Sequence, residues 1–168
     1  MPEEPSLLPL PNAGISKILG LLEVLDDLGE HYDVYRLAKD VNYEHGDLLE
    51  VVKASEMLSL TETPKNQVVL LNLGKRVIEA SVNEKKQVLR DQMLKIPLIQ
   101  YLISYLEHKE DKSTNKKEVV EVLSTLFPDH NPEEQFRLLV GWGRYGEIFC
   151  YDIDIEGFYL DEGDEELA

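Results

Sequence analysis

Residues 141–152, Gly141-Trp-Gly-Arg-Tyr-Gly-Glu-Ile-Phe-Cys-Tyr-Asp152, contain a literal G-x-G-x-x-G. A dinucleotide-binding fingerprint of that form needs a strand before it and a helix after it, so that a positive helix N-terminus faces the pyrophosphate. Here the order is reversed. The segment Pro132 to Tyr145 reads as helix, with Asn131 as cap, Pro132 in the first turn and Glu133 and Glu134 at the positive end. The strand, Glu147 to Asp152, comes afterwards. Helix C-terminal carbonyls then point to where phosphate would sit, so a structural role for the glycines is the better reading. Gly146 is expected as a left-handed C-terminal cap. Gly141 and Gly143 should each cost about 1 kcal/mol relative to alanine inside a helix. Close approach of another element would offset that, with Trp142 and Tyr145 as large anchors beside the gap.

The surrounding pattern extends this into a module. Downstream, a turn at Asp154–Gly157 and the run Phe158–Leu160 complete a hairpin. Upstream, Pro97 to His108 predicts a helix with Leu98, Tyr101, Leu102, Tyr105 and Leu106 inward, and Glu118 to Leu126 a second one after the polar loop Lys109–Asn115. Three short helices followed by a hairpin is the winged-helix order, and the first half of the chain repeats it. Ile15, Ile18, Leu19, Leu22, Leu25 and Leu28 form one helical stripe ended by Gly29. Asp33 can cap a second helix through Val34, Leu37, Ala38 and Val41; Asn42–His45 turns into a third carrying Leu48, Leu49, Val52 and Met57. Leu58–Thr63, Pro64–Asn66 and Gln67–Leu71 read as strand, turn and strand.

Between the halves the pattern predicts one long amphipathic helix, with Val77, Ala80, Val88, Leu89 and Met93 inward and Lys75, Arg76, Lys85, Lys86 and Arg90 mostly outward. The expected fold class is mainly α with small β-hairpins (α+β): two winged-helix-like units joined by a long helix. The divisions are an extended proline-rich linker at 1–11, a first unit at 12–72, the joining helix at 73–96, a second unit at 97–160 and an acidic tail at 161–168.

Charge narrows the function. The 168 residues carry 33 acidic and 17 basic side chains, a net −16 at pH 7, which repels phosphate backbones and anionic lipid alike. The presumptive reading helix of the first unit presents Glu44, Asp47, Glu50 and Glu56 against Lys53, and its counterpart opens with Glu133 and Glu134. Cys150 stands alone, so no internal disulfide is expected. The N-terminus has no secretory pattern and no segment approaches the ~20 apolar residues of a membrane span, so a cytoplasmic location is expected.

Enzymatic motifs are not found either. His31, His45, His108 and His130 are scattered, with no metal-ligand spacing among them. Asp152 to Gly163 nearly matches a calcium loop, but Gly163 falls where a bidentate glutamate is required, so a hairpin turn is the better reading. Gly74-Lys75 has Val69 at the earlier glycine place of a P-loop, and no nucleophile elbow is present. The expectation is no catalysis, no cofactor and no metal. The basic residues gather on the joining helix and at Lys109, Lys112, Lys116 and Lys117. They are read as a solvated face or as a patch for an acidic protein surface, including a second copy of this chain.

Asn12–Asp27, Leu73-Gly-Lys-Arg76 and above all Trp142-Gly-Arg-Tyr-Gly-Glu147 with Tyr151-Asp152 resemble the AAA-associated C-terminal domain, over about Asn12 to Leu160. That domain follows the ATPase domain in some nitrate-, sulfonate- and taurine-type ABC transporter subunits. The resemblance implies a non-catalytic regulatory or assembly role beside an importer ATPase. It makes the proline-rich start the linker from such a domain, and the chain either a free-standing relative or a piece of a longer protein. Homodimerisation is expected. A winged-helix DNA-binding regulator and a small-anion sensor are the alternatives.

Overall fold

The computed structural model describes residues 7–29, 31–40 and 45–162. Much of the expected linker, the turn before the third helix and most of the expected acidic tail lie outside them. The chain forms two compact units, one of residues 11–92 and one of residues 93 onward together with the segment ending at Leu10.

The N-terminal unit runs α1 (Ile15–Leu28), β1 (His31–Asp33), α2 (Val34–Asp40), α3 (His45–Met57), β2 (Thr61–Glu62), β3 (Gln67–Leu70), α4 (Asn72–Glu79) and α5 (Val82–Met93). The C-terminal unit repeats the first six: α6 (Pro97–Glu107), β4 (Ser113–Asn115), α7 (Lys116–Leu126), α8 (Pro132–Tyr145), β5 (Phe149–Asp152) and β6 (Gly157–Leu160). The two sheets share one plan, antiparallel throughout, in the orders β1-β3-β2 and β4-β6-β5. The repeat extends to single hydrogen bonds. Leu60 N–H donates to the Ser55 carbonyl and Ile148 N–H to that of Gly143, while Leu71 and Asp161 N–H donate back to the carbonyls of Leu60 and Ile148. Each unit therefore ends its third helix with the same reversal and ties its last strand to it.

The helices begin where side chains can satisfy their unpaired N–H groups. Asp33 Oδ1 accepts from Tyr35 N–H at 3.0 Å and Arg36 N–H at 3.1 Å. Asn131 Oδ1 accepts from Glu133 N–H at 3.0 Å and Glu134 N–H at 3.2 Å, with Pro132 in the first turn as the sequence predicts. The apolar stripes are buried: Ile18, Leu22 and Leu25 of α1 and Leu98, Leu102 and Leu106 of α6 line the two cores.

Four features differ from the sequence reading. The joining helix predicted at 73–96 is two helices, because Ala80 is extended (φ −75°, ψ 155°). Ser81 restarts the chain, its Oγ accepting from Glu84 N–H at 3.3 Å, in the Ser-x-x-Glu pattern of a helix start. Strands β1 and β4, too short to alternate visibly, exist because they pair with β3 and β6. Tyr101, expected inward, is 40% exposed, and Ile99 is buried instead.

The fourth concerns the end of α8. Gly146 has φ −80°, an ordinary backbone; the left-handed residue is Glu147, at φ 56°. Ile148 N–H reaches the Gly143 carbonyl at 2.8 Å and Glu147 N–H the Arg144 carbonyl at 3.2 Å, the paired bonds of a Schellman ending. Ser59, at φ 61°, occupies the matching place after α3.

Candidate functional site

Helix α8 supplies both core and surface. Trp142, Leu139 and Phe136 face inward, with Trp142 and Leu139 fully buried. Gly143 lies under strand β5, where a Cβ would come 2.5 Å from Phe149 Cδ2, so this glycine admits the strand as its spacing predicts. Gly141 has nothing within 4 Å of a Cβ, and no close approach accounts for it.

The outer face of α8 and the β5–β6 hairpin form a groove of about 420 Å³, lined by Phe136, Val140, Tyr151 and Ile153 with Lys116, Glu133, Arg137 and Glu156 around them. Its floor is aromatic. Phe136 meets Tyr151 edge-on at 5.1 Å and 82°, and Phe158 stacks obliquely under both Phe136 and Phe149, at 5.7 Å and 5.0 Å. The hairpin turn carries Ile153 and Ile155, 75% and 73% exposed. The same turn is held by Asp154 N–H donating to Asp152 Oδ1 at 3.0 Å, so the stretch that resembles a calcium loop is a hairpin with Gly157 opening β6.

The remaining motif residues brace this surface. Arg144 Nη2 donates to the Tyr151 carbonyl at 3.0 Å, linking α8 to the hairpin. Tyr145 is half-buried, and burial pushes its hydroxyl above the ordinary tyrosine value. Burial likewise raises the Cys150 thiol, with Asp161 adding to the effect.

The cations expected as contact residues are separated. Lys75 and Arg76 lie on α4, whereas Lys85, Lys86 and Arg90 lie on α5 beyond the break, so they do not share one straight helix. Three of the four loop lysines are paired. Lys109 pairs with Glu118 at 2.7 Å, Lys112 with Glu162 at 2.6 Å and Lys116 with Glu133 at 3.2 Å, which removes most of the basic patch expected there. Arg137, absent from the expected contacts, is exposed on α8 beside the groove and has no ion-pair partner among the described residues. The signal that could have found it is its place four residues beyond Glu133 and seven before Arg144, one face of one helix.

The corresponding face in the N-terminal unit is acidic. Asp47 and Glu56 are exposed on α3; Glu50 is half-buried, accepting from Asn12 N–H at 2.9 Å and lying 3.7 Å from Lys53. The two third helices thus differ in charge on the same frame, α3 being mainly acidic and α8 mixed, with Glu133 and Glu134 in its first turn and Arg137 and Arg144 beyond. Among the described residues no group of three or more His, Cys, Asp or Glu is placed to hold a metal, and no helix is long and apolar enough to cross a membrane.

The fold is thus a duplicated helix-and-hairpin module whose second half carries an open groove with an apolar floor and a rim of two cations and two carboxylates. The chain belongs to the C-terminal AAA-associated domain family, whose pattern it matches over residues 35–152. That match runs from α2 to the end of β5 and so takes in most of both units. No curated protein and no solved structure matches the chain.

Proposed function

We propose that this protein is a non-catalytic protein-interaction module that regulates or scaffolds the ATPase subunit of an ABC importer of the nitrate, sulfonate or taurine type, at the cytoplasmic face of the membrane and as a homodimer. The observation that carries the reading is membership of a family described by its association with AAA-type ATPases, on a frame whose β5–β6 turn exposes two isoleucines beside a groove edged by Arg137 of α8. Exposed apolar side chains rimmed by charge are a composition that protein contact surfaces use. In this reading each half is a winged-helix unit turned to protein contact. Carboxylates on the outer face of α3 and at the start of α8 oppose a phosphate backbone.

Co-purification with the importer ATPase subunit of the same organism tests it, both proteins being checked for folding first. Retention of the ATPase on the immobilised chain is the expected result. No retention, together with duplex DNA binding that weakens steeply as salt is added, would transfer the chain to the DNA-binding reading.

A further inference from the structure

We propose that the groove between α8 and the β5–β6 hairpin receives a second copy of this chain, each copy seating its hairpin tip in the groove of the other. The inference rests on the pairing proposed above and is independent of the ATPase. The tip reads Ile153-Asp-Ile-Glu156, alternating apolar and acidic, and both isoleucines are about three-quarters exposed. Exposed aliphatic side chains of this size side by side mark a surface made for contact.

The groove offers the complement. Phe136, Val140 and Tyr151 give an apolar floor, and Arg137 stands beside it with no carboxylate partner among the described residues. Of the neighbouring cations, Lys109, Lys112 and Lys116 each pair with a carboxylate, while Arg137, like Lys117, has no ion-pair partner among the described residues. Glu156 lines the same groove without bridging to Arg137, so each copy holds an acid and a cation that the other could satisfy. Arg144 adds a second guanidinium to α8, seven residues beyond Arg137, with one N–H donated to the Tyr151 carbonyl.

A two-fold interface requires such self-complementarity, in which residue i meets j and j meets i. Packing tip against tip would set Asp154 and Glu156 against their own copies and is opposed by like charge. Tip into groove sets Ile155 over Phe136 and Val140 and Glu156 against Arg137.

Sedimentation equilibrium of the full chain over a concentration series tests this, with circular dichroism and a melt to confirm that each variant is folded. The wild type should show a reversible dimer. Ile153→Ser with Ile155→Ser, Arg137→Glu alone and Glu156→Arg alone should each weaken it about tenfold or more, and the combination Arg137→Glu/Glu156→Arg should recover most of the loss. A monomer at every concentration overturns both the pairing and the groove as its seat, leaving the groove to a foreign apolar and acidic segment. A dimer indifferent to all the variants, or a charge swap that fails to recover, overturns the interface while the pairing stands.

Discussion

Gly143 has no room for a side chain. An added methyl would lie 2.5 Å from Phe149 Cδ2 and 2.9 Å from its Cβ, and the Phe149 ring is buried with Phe158 packed on it, so it cannot swing aside. Alanine is the better helix former by about 1 kcal/mol, but overpacking a filled core costs about 1–3 kcal/mol, and the clash wins. Gly143→Ala is therefore expected to lower the denaturation midpoint. Gly141→Ala, two residues away on the exposed side with nothing within 4 Å, should raise stability by about 0.5–1 kcal/mol. Chemical denaturation of the pair gives opposite signs if the packing argument holds; equal signs would sink it. The sequence pattern alone treats the two glycines alike, since only the position of Phe149 distinguishes them.

At the scale of elements, helix starts and stops were legible because they are written locally. Asp33 and Asn131 cap as their residue types predict, and Gly29 closes α1 in the left-handed region at φ 103°. The ending of α8 was legible only to within one position, because Glu147 is forced left-handed by the bonds from residues 147 and 148 back into the helix. Between α6 and α7, Lys109 donates to Glu118 at 2.7 Å and its ammonium lies 5.1 Å from the centre of the Tyr105 ring. The single hydrogen bond that Lys109 donates to Glu118 holds the Glu118 carboxyl below its ordinary value and raises the Lys109 ammonium. A lowered carboxyl stabilises the fold above its unfolded pKa and loses that contribution as pH falls through the folded one. A raised ammonium loses its contribution as pH climbs past the folded value. The stability gap between wild type and Glu118→Gln should therefore be open near neutrality and close in both acid and strong alkali. Since both side chains are about one-third exposed, the gap should be small beside that of Gly143→Ala. Melting curves across pH measure it, and a gap independent of pH would rule the ion pair out as its source.

At the scale of the whole molecule, the proline-rich start is more than a tether. Leu10 is buried, its N–H donating to Gln135 Oε1 at 2.9 Å and its carbonyl accepting from Gln135 Nε2 at 2.8 Å, so α8 holds the segment by both backbone groups. Gln135→Leu leaves those groups buried without partners, at about 1–3 kcal/mol each, unless the segment detaches. Detachment predicts faster cleavage around residues 7–12 in limited proteolysis while the rest of the chain stays resistant; unchanged cleavage would deny the clamp its role. Nothing in the local pattern joins Leu10 to a glutamine 125 positions later. The sequence by itself determined the helical stripes, the two hairpins, their repetition and the helix-before-strand order around Gly143, because periodicity, caps and turn residues act within a few positions of the chain. Only the tertiary structure decided the break at Ala80, the strands at residues 31–33 and 113–115, the capture of Leu10 and the groove that exposes Ile153 beside Arg137. Each of these depends on groups brought together from distant positions, and such contacts leave no period to read.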